Sequence, residues 1–323
     1  MQQIKWGIIG CGNVTELKSG PAFNKVPNSA LIAVMRRDAE KAEDYAHRHN
    51  VPKWYSDASE LINDPEVNAI YIATPPLQHE EYTLQALAAG KPVYVEKPMS
   101  LNAASAERMK KAAEQYNVKL TIAHYRREQP MFLKVKDLLL AKVIGDIRFT
   151  QLQMFQSPNN DLIAPSESNW RMNPALSGGG LFHDLAPHQL DLMLYYFGPI
   201  KRCSGIAVQQ AGNYKADDLV TGQILFKNGT LFNGTWCFTV PSSEQIDLCE
   251  IIGAKGKISF GVFGNKITVA IDGAEEEYIF DALEHVQQPM IAKVVDYFLG
   301  HGENPCSAAD AIQSMKLMDS FTA

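Results

Sequence analysis

Ile4-Lys5-Trp6-Gly7-Ile8-Ile9-Gly10-Cys11-Gly12-Asn13-Val14-Thr15 decides how the first half of this 323-residue chain is read. Ile4 to Ile9 is a short apolar run bounded by glycine, which predicts a buried strand. The residues after it spell G-x-G-x-x-T, a dinucleotide fingerprint with threonine at the third glycine position. Gly10 makes the tight turn and Gly12 lets the backbone approach a pyrophosphate. Asn13 and Val14 then open a helix whose free N–H groups face that anion. Thr15 loosens helix–strand packing slightly without blocking phosphate. Glycine pairs also make ordinary turns; the position between a strand and a helix gives this one its meaning.

Outward from that stretch, strands and helical patterns alternate. Ala30 to Met35 is a strand ending in Arg36-Arg37-Asp38, followed by a helix over Ala39–His49 with Asp38 as its N-cap. Nucleotide sites that hold a bare ribose 2′-hydroxyl place a carboxylate near this point. Arg36 and Arg37 stand there instead, and an arginine fork suits a 2′-phosphate. NADP is therefore preferred over NAD; the competing reading leaves both arginines solvated at a strand end. Ala69 to Ala73 is a third strand, broken by Thr74-Pro75-Pro76, with a helix from Gln78 to Ala89 carrying His79 in its first turn. The proline pair forms either a stiff wall for the cofactor or simple loop punctuation. His79 reads as a packing or capping residue or as one more cofactor contact.

Val93-Tyr94-Val95-Glu96-Lys97-Pro98-Met99 follows. Val93 to Val95 is a strand that Pro98 cannot continue, so the chain turns and presents Glu96 and Lys97 at the carboxyl edge of the sheet, where open α/β sheets bind ligands. Ser100 is expected to cap the next helix, which includes Ala104, Met109 and Tyr116 among its apolar positions, and Lys119 to Ala123 is a strand ending in His124-Tyr125-Arg126. Such alternation predicts a parallel, doubly wound sheet. A dinucleotide-binding domain over residues 1–123 and a substrate and oligomerisation domain over 124–323 are expected, the C-terminal helix packing back on the first.

The second half begins with a helix over Pro130–Ala141 and a strand over Asp146–Gln156. The stretch Ser157–Ser177 reads as loop and contains Trp170-Arg171. Gly178-Gly179-Gly180 then precedes a helix over Leu181–Phe197. The triplet lacks a P-loop lysine and reads as a hinge or substrate-facing loop. Asp184 and His188 are four apart on that helix, so both project from one face. A carboxylate beside a histidine raises its proton affinity and suits proton transfer; a surface ion pair is the other open reading. His183 points elsewhere, and no ligand cluster predicts a metal. Extended runs follow at Ser204–Gln210, Leu219–Phe226, Thr230–Val240, Ile246–Ile252, Lys257–Phe263 and Lys266–Ile271, giving a mostly antiparallel sheet. Trp236, Phe238 and Phe260 face either a second subunit or their own domain's helices. Helices over Met290–Leu299 and Ser307–Phe321 end the sequence.

Composition narrows the class. Two domains are the prior at this length. The net charge is −6 with no basic tract, so nucleic acid and anionic membranes are not expected partners. No apolar run approaches the ~20 residues of a membrane span, and no signal-peptide pattern is seen. Five scattered cysteines suit reduced thiols in a cytoplasmic protein.

Taken together, GIIGCGNVT at 7–15, IATPPLQH at 72–79, VEKP at 95–98 and WRMNPALSGGGLFHDLAPH at 170–188 make the chain resemble the glucose–fructose oxidoreductase / inositol dehydrogenase (Gfo/Idh/MocA) family over nearly its whole length. The resemblance implies an α/β protein: an N-terminal Rossmann doubly wound parallel sheet, then a C-terminal α/β domain with a large open, mostly antiparallel sheet. It also implies a nicotinamide cofactor bound where the two domains meet, sugar, polyol or dicarbonyl substrates, and a dimer or tetramer formed through the C-terminal sheet. By position it implies a cis Lys97–Pro98 bond, Lys97 as the lysine that hydrogen-bonds the reacting oxygen, His188 as the acid/base, and Asp184 as the carboxylate completing the set. Trp170 and Arg171 are implied near the nicotinamide, and His124 and Tyr125 on the substrate side. The expected function is an NADP-dependent oxidoreductase. The alternatives are an NAD-dependent polyol dehydrogenase, a non-catalytic cofactor-binding regulator and an NAD-assisted glycosidase.

Overall fold

A computed structural model describes residues 2–158, 169–212 and 214–323. The chain divides into two compact units, Met1–Tyr125 with Leu283–Met315, and Arg126–Ala282 with Lys316–Ala323.

In the first unit, β1 (Ile4–Ile9) leads through α1 (Asn13–Leu17) to β2 (Ser29–Met35), α2 (Ala39–Arg48), β3 (Lys53–Tyr55) and α3 (Ala58–Asn63). β4 (Ala69–Ile72), α4 (His79–Ala88), β5 (Val93–Val95), α5 (Ala103–Tyr116) and β6 (Leu120–Ile122) follow. The strands form one six-stranded sheet in the order β3-β2-β1-β4-β5-β6, every pair parallel. A parallel sheet is covered on both faces, so its strands are apolar throughout and not alternating. All of β4 and β5 is buried accordingly. Trp6 on β1 packs against Phe23 and Phe298 at 4.8 and 5.6 Å between ring centroids, and its indole N–H donates to Ser29 Oγ at 3.0 Å.

Asp38 caps α2 as expected, accepting from Lys41 N–H. The cap of α5 is Asn102 and not Ser100: the Asn102 side chain accepts from Ser105 N–H, while Ser100 Oγ donates to the Asn102 carbonyl. Tyr116 is 46% exposed and lies off the buried stripe. β3 and α3 are additions to the sequence reading. Lys53 and Tyr55 on β3 both bond Asp64 at the end of α3, at 2.8 Å each.

The second unit contains α6 (Pro130–Leu140), β7 (Ile147–Phe155), α7 (Pro174–Ser177) and α8 (Gly180–Phe197). Seven more strands follow: β8 (Ile200–Val208), β9 (Leu219–Phe226), β10 (Leu231–Cys237), β11 (Ile246–Gly253), β12 (Gly256–Phe260), β13 (Lys266–Ile271) and β14 (Ala274–Ile279). They pair in the order β14-β13-β12-β11-β7-β10-β9-β8, antiparallel except for β7 with β10. β7, β9 and β10 alternate along most of their length. The inward set includes Leu152, Met154, Phe232, Trp236, Ile251 and Ile258, all essentially inaccessible. Trp236, Phe238 and Phe260 are therefore core residues, which removes them as subunit-contact candidates. The outward face carries Phe149, 37% exposed, with Leu231 at 38% and Ile206 at 68%. The expected loop Ser157–Ser177 lies partly outside the described residues.

α9 (Gln288–Leu299) belongs to the first unit, and α10 (Ala308–Phe321) has residues in both. The last turn of α10 belongs with the second unit, and its Phe321 sits over two glycines paired across β8 and β9. A Cβ at Gly222 would lie 2.2 Å from Phe321 Cε2, and one at Gly205 would lie 2.7 Å from Phe321 Cα. The notch exists because both residues lack a side chain. Gly222→Ala is expected to destabilise the protein by about 1–3 kcal/mol through overpacking. Denaturant unfolding measures it, and pairing the change with Phe321→Ala should cost less than the two single changes summed.

Candidate functional site

In the first unit the candidate residues gather at the carboxyl ends of β1, β2, β4 and β5. Gly10 has φ +95°, and a Cβ there would come within 2.8 Å of the Thr74 backbone nitrogen, so only glycine lets the first and fourth strand ends approach this closely. Gly12 differs: a Cβ on it would meet only the Gly10 carbonyl oxygen, at 4.0 Å. The backbone is thus open on that side, as close approach of a phosphate requires. Asn13 and Val14 begin α1, whose first N–H groups have no helical acceptor. Arg36 follows β2 and donates to the Cys11 carbonyl at 3.4 Å, which sets its guanidinium beside the glycine loop. Arg37 is exposed next to it. Burial pushes the Cys11 thiol up to about 12, so it stays protonated and unreactive.

Thr74, Pro75 and Pro76 follow β4, with Thr74 Oγ1 buried and lacking a hydrogen-bond partner among the described residues. A buried hydroxyl beside an open glycine loop fits a bound dinucleotide better than an empty one. His79 is buried with a ring nitrogen near each of two carbonyls, Nδ1 2.9 Å from Pro98 O and Nε2 2.8 Å from Thr74 O. Burial pushes its pKa down to about 4, against the pull of those carbonyls, so at neutral pH it carries one proton and donates to one of them. Its polar atoms are occupied by the loops after β4 and β5. It braces those loops.

Glu96 is likewise engaged internally. Its Oε1 accepts from Tyr71 OH at 2.6 Å and from Gln287 Nε2 at 2.5 Å, and its Oε2 accepts from the Lys97 backbone N–H at 3.2 Å. Its carboxylate therefore holds the turn in shape. The Lys97–Pro98 bond is cis. Lys97 is partly exposed, and His124 and Tyr125, after β6, are buried. Tyr71 and Gln287 lie 25 and 191 residues from Glu96, and no local motif announces either of them.

In the second unit the residues collect around α8. Each glycine before it has a separate reason. Gly178 ends α7 at φ +92°. A Cβ on Gly179 would strike the His183 ring at 2.0 Å, and one on Gly180, at φ +73°, would strike Ala216 Cβ at 2.5 Å. The triplet is thus a packing device and not a hinge. His183 is buried under Gly179, and burial lowers its pKa to about 4.

Asp184 accepts from Arg171 Nε at 3.0 Å, and the Arg171 guanidinium lies 4.5 Å from the Trp170 ring centre. The first partner of Asp184 is therefore an arginine, a contact the spacing argument does not contain. His188, 4% exposed, packs edge-to-face on Phe263 at 5.7 Å and 84°. One turn on, Asp191 receives two bonds from Arg127, at 2.8 and 2.7 Å, with the two side chains 7% and 2% exposed. Asp191 is a buried partner and not a solvated residue. Among the described residues, no three His, Cys, Asp or Glu side chains are grouped to hold a metal ion, and no helix is long and apolar enough to cross a membrane.

Comparison with known proteins accounts for both halves. Residues 4–124 match the family described as an oxidoreductase family with an NAD-binding Rossmann fold, and residues 132–259 match the Gfo/Idh/MocA C-terminal domain. The chain belongs to the Gfo/Idh/MocA oxidoreductase family. It is 49% identical to Oxidoreductase P35 of Formosa agariphila over 99% of this chain and 98% of that one. It is 28% identical to trans-1,2-dihydrobenzene-1,2-diol dehydrogenase of Mus musculus over 85% of this chain and 80% of that one. The fold is also that of aldose-aldose oxidoreductase from Caulobacter crescentus, solved with glycerol, at TM-score 0.86 and 21% identity, over 99% and 96% of the two chains. This family member is an NAD(P)-dependent oxidoreductase.

Proposed function

We propose that the protein is an NADP-preferring oxidoreductase that moves a hydride between the nicotinamide and a secondary alcohol or ketone of a sugar, polyol or related diol. The observation that carries the cofactor preference is at the end of β2. Arg36 lies against the glycine loop through the Cys11 carbonyl, and the next carboxylate along the chain, Asp38, caps α2. A bare ribose hydroxyl is left without an acidic partner there, whereas a 2′-phosphate would meet a guanidinium. The substrate class follows the family resemblance and the diol-acting relative.

The cofactor, when bound, supplies or accepts the hydride. Gly10, Gly12, Asn13 and Val14 hold its pyrophosphate, and Thr74, Pro75 and Pro76 wall it. Trp170 and Arg171 serve the nicotinamide end. Lys97 donates to the reacting oxygen and stabilises negative charge there as it develops. His188 takes or returns the hydroxyl proton. Asp184, held by Arg171, fixes the polar face of α8 on which that histidine stands. His124 and Tyr125 contact the substrate. Positioned acid–base help of this kind is worth roughly 10²–10⁴-fold.

The outward face of the eight-stranded sheet, with Phe149, Leu231 and Ile206 exposed, is the proposed subunit contact. Light scattering should report an oligomer that Ile206→Lys weakens; a wild-type monomer would refute this assignment.

Titration with NADPH and NADH, read by nicotinamide fluorescence, tests the cofactor reading. NADPH should bind tighter by about ten- to a hundredfold, the worth of one charge-assisted bond, and Arg36→Asp should erase the difference. Tighter NADH binding by the wild type would overturn it. For the chemistry, NADPH oxidation against keto sugars and dicarbonyls, and NADP reduction by polyols and trans-1,2-dihydrobenzene-1,2-diol, should reveal a substrate. Lys97→Met and His188→Ala should each lower kcat by about 10²-fold or more with cofactor affinity retained. Normal turnover in either variant would end that residue's assignment.

A further inference from the structure

The turn between β12 and β13 is held in an unusual way. β12 stops at Phe260, although the extended sequence pattern continues to Phe263. The cause is Asp247 on the neighbouring strand β11. Its Oδ1 accepts from Val262 N–H at 3.0 Å and its Oδ2 from Phe263 N–H at 2.6 Å, so these two amides bond a side chain and not a strand. A carboxylate holding two successive N–H groups fixes the backbone direction at Phe263, and hence where its ring points.

Two groups meet that ring among the described residues. On one side it meets His188, edge-to-face at 5.7 Å. On another the Arg126 guanidinium lies 4.5 Å from its centre. The far side of the turn is not packed: Gly261, Phe263, Gly264 and Asn265 line an open groove of about 560 Å³ together with Gln156 and Asp247. Gly264 N–H donates to the Gly261 carbonyl at 3.2 Å and Asn265 pairs with Phe280, so the turn is closed on itself, while Val262 and Phe263 take their backbone direction from Asp247. Gly261 is also matched to the carboxylate, since a Cβ there would come within 3.0 Å of Asp247 Oδ2. Partial burial raises the Asp247 carboxyl above its ordinary value, and the two amides and Arg126 oppose that rise.

We propose that Asp247 is a positioning residue for the reaction, pinning the 261–265 turn so that Phe263 forms a fixed aromatic wall against His188. The proposal rests on the reading of His188 as the proton-transferring group. Phe263 limits the ring orientations open to His188 and stands between it and the open groove. A misplacement of about 1 Å at a reacting group costs on the order of a hundredfold in rate, so the pin matters without touching substrate.

The test uses the whole protein with labelled histidine, the His188 ring signals being identified by their loss in His188→Gln. An aromatic ring at this distance displaces those signals magnetically, an effect that loss of general stability does not imitate. Phe263→Leu should remove the displacement, and Phe263→Tyr should keep it. Asp247→Asn should move the signals more than halfway to the Phe263→Leu position, because its NH₂ group faces one of the two N–H donors. Gly261→Ala, which presses a methyl on the same carboxylate, should move them the same way and keeps the test usable if Asp247→Asn folds poorly. His188 signals at wild-type positions in the folded Asp247→Asn or Gly261→Ala protein would overturn the proposal. On a substrate from the panel above, Asp247→Asn should lower kcat by about tenfold or more with the KM for NADPH unchanged. An unchanged kcat overturns the positioning role even if the signals move. If instead His188→Ala keeps full turnover, the catalytic reading of His188 fails while the magnetic result still reports the pin.

Discussion

The bond between Arg127 and Asp191 determines where α8 lies. That helix is apolar nearly all round, with Leu181, Phe182, Leu185, Ala186, Leu190, Leu192 and Met193 buried. A helix of this kind could rotate or slide among packings of similar hydrophobic energy. A buried carboxylate with a two-pronged guanidinium partner cannot, because leaving either charge unpaired in the interior costs about 3–5 kcal/mol. The Arg127 guanidinium also lies 5.2 Å from the Tyr195 ring centre, one turn further along the same helix. Asp184 and His188 take their places on α8 from that fixed rotation, and Pro187 between them removes a backbone N–H without ending the helix.

The nucleotide-binding unit solves a similar problem with hydrogen bonds to uncharged partners. The ligand-binding crevice of such a sheet opens where the strand order reverses, between β1 and β4, and the loops after β4 and β5 beside it must be rigid to hold a ligand. Glu96 binds the Tyr71 hydroxyl and the Gln287 amide, and His79 spans the Thr74 and Pro98 carbonyls. The two side chains brace the sheet edge from below. Both are buried and bonded to the loops that present Lys97. Residues that build a site and residues that meet the ligand share the same few positions of chain.

Local chemistry explains which parts were legible in the sequence. β9 and β13 begin and end where the alternation and the Lys227-Asn228-Gly229 and Asp272-Gly273 turns place them. β3 is three half-exposed residues, and β14 carries Glu275, Glu276 and Glu277, so neither has the apolar signal that marks a strand. Alternation sorts side chains into two sets per strand but does not say which set faces the core. Aromatic residues occur in both, so Trp236 looked as suitable for a subunit contact as Phe149. The glycine loop and the Asp184–His188 spacing were readable because they are local. Partners such as Gln287 for Glu96 and Asp247 for Phe263 act across 191 and 16 residues and leave no periodic trace.

The Glu96–Gln287 bond bears on the order in which the protein is made. Glu96 leaves the ribosome early, but the amide that completes its hydrogen bonding is encoded after the whole eight-stranded sheet. At about 5–20 residues per second, roughly 10–40 seconds separate the two. During that interval a carboxylate destined for burial has Tyr71 beside it and no Gln287. The nucleotide-binding half, although it begins the chain, is therefore among the last parts to become fully native during synthesis.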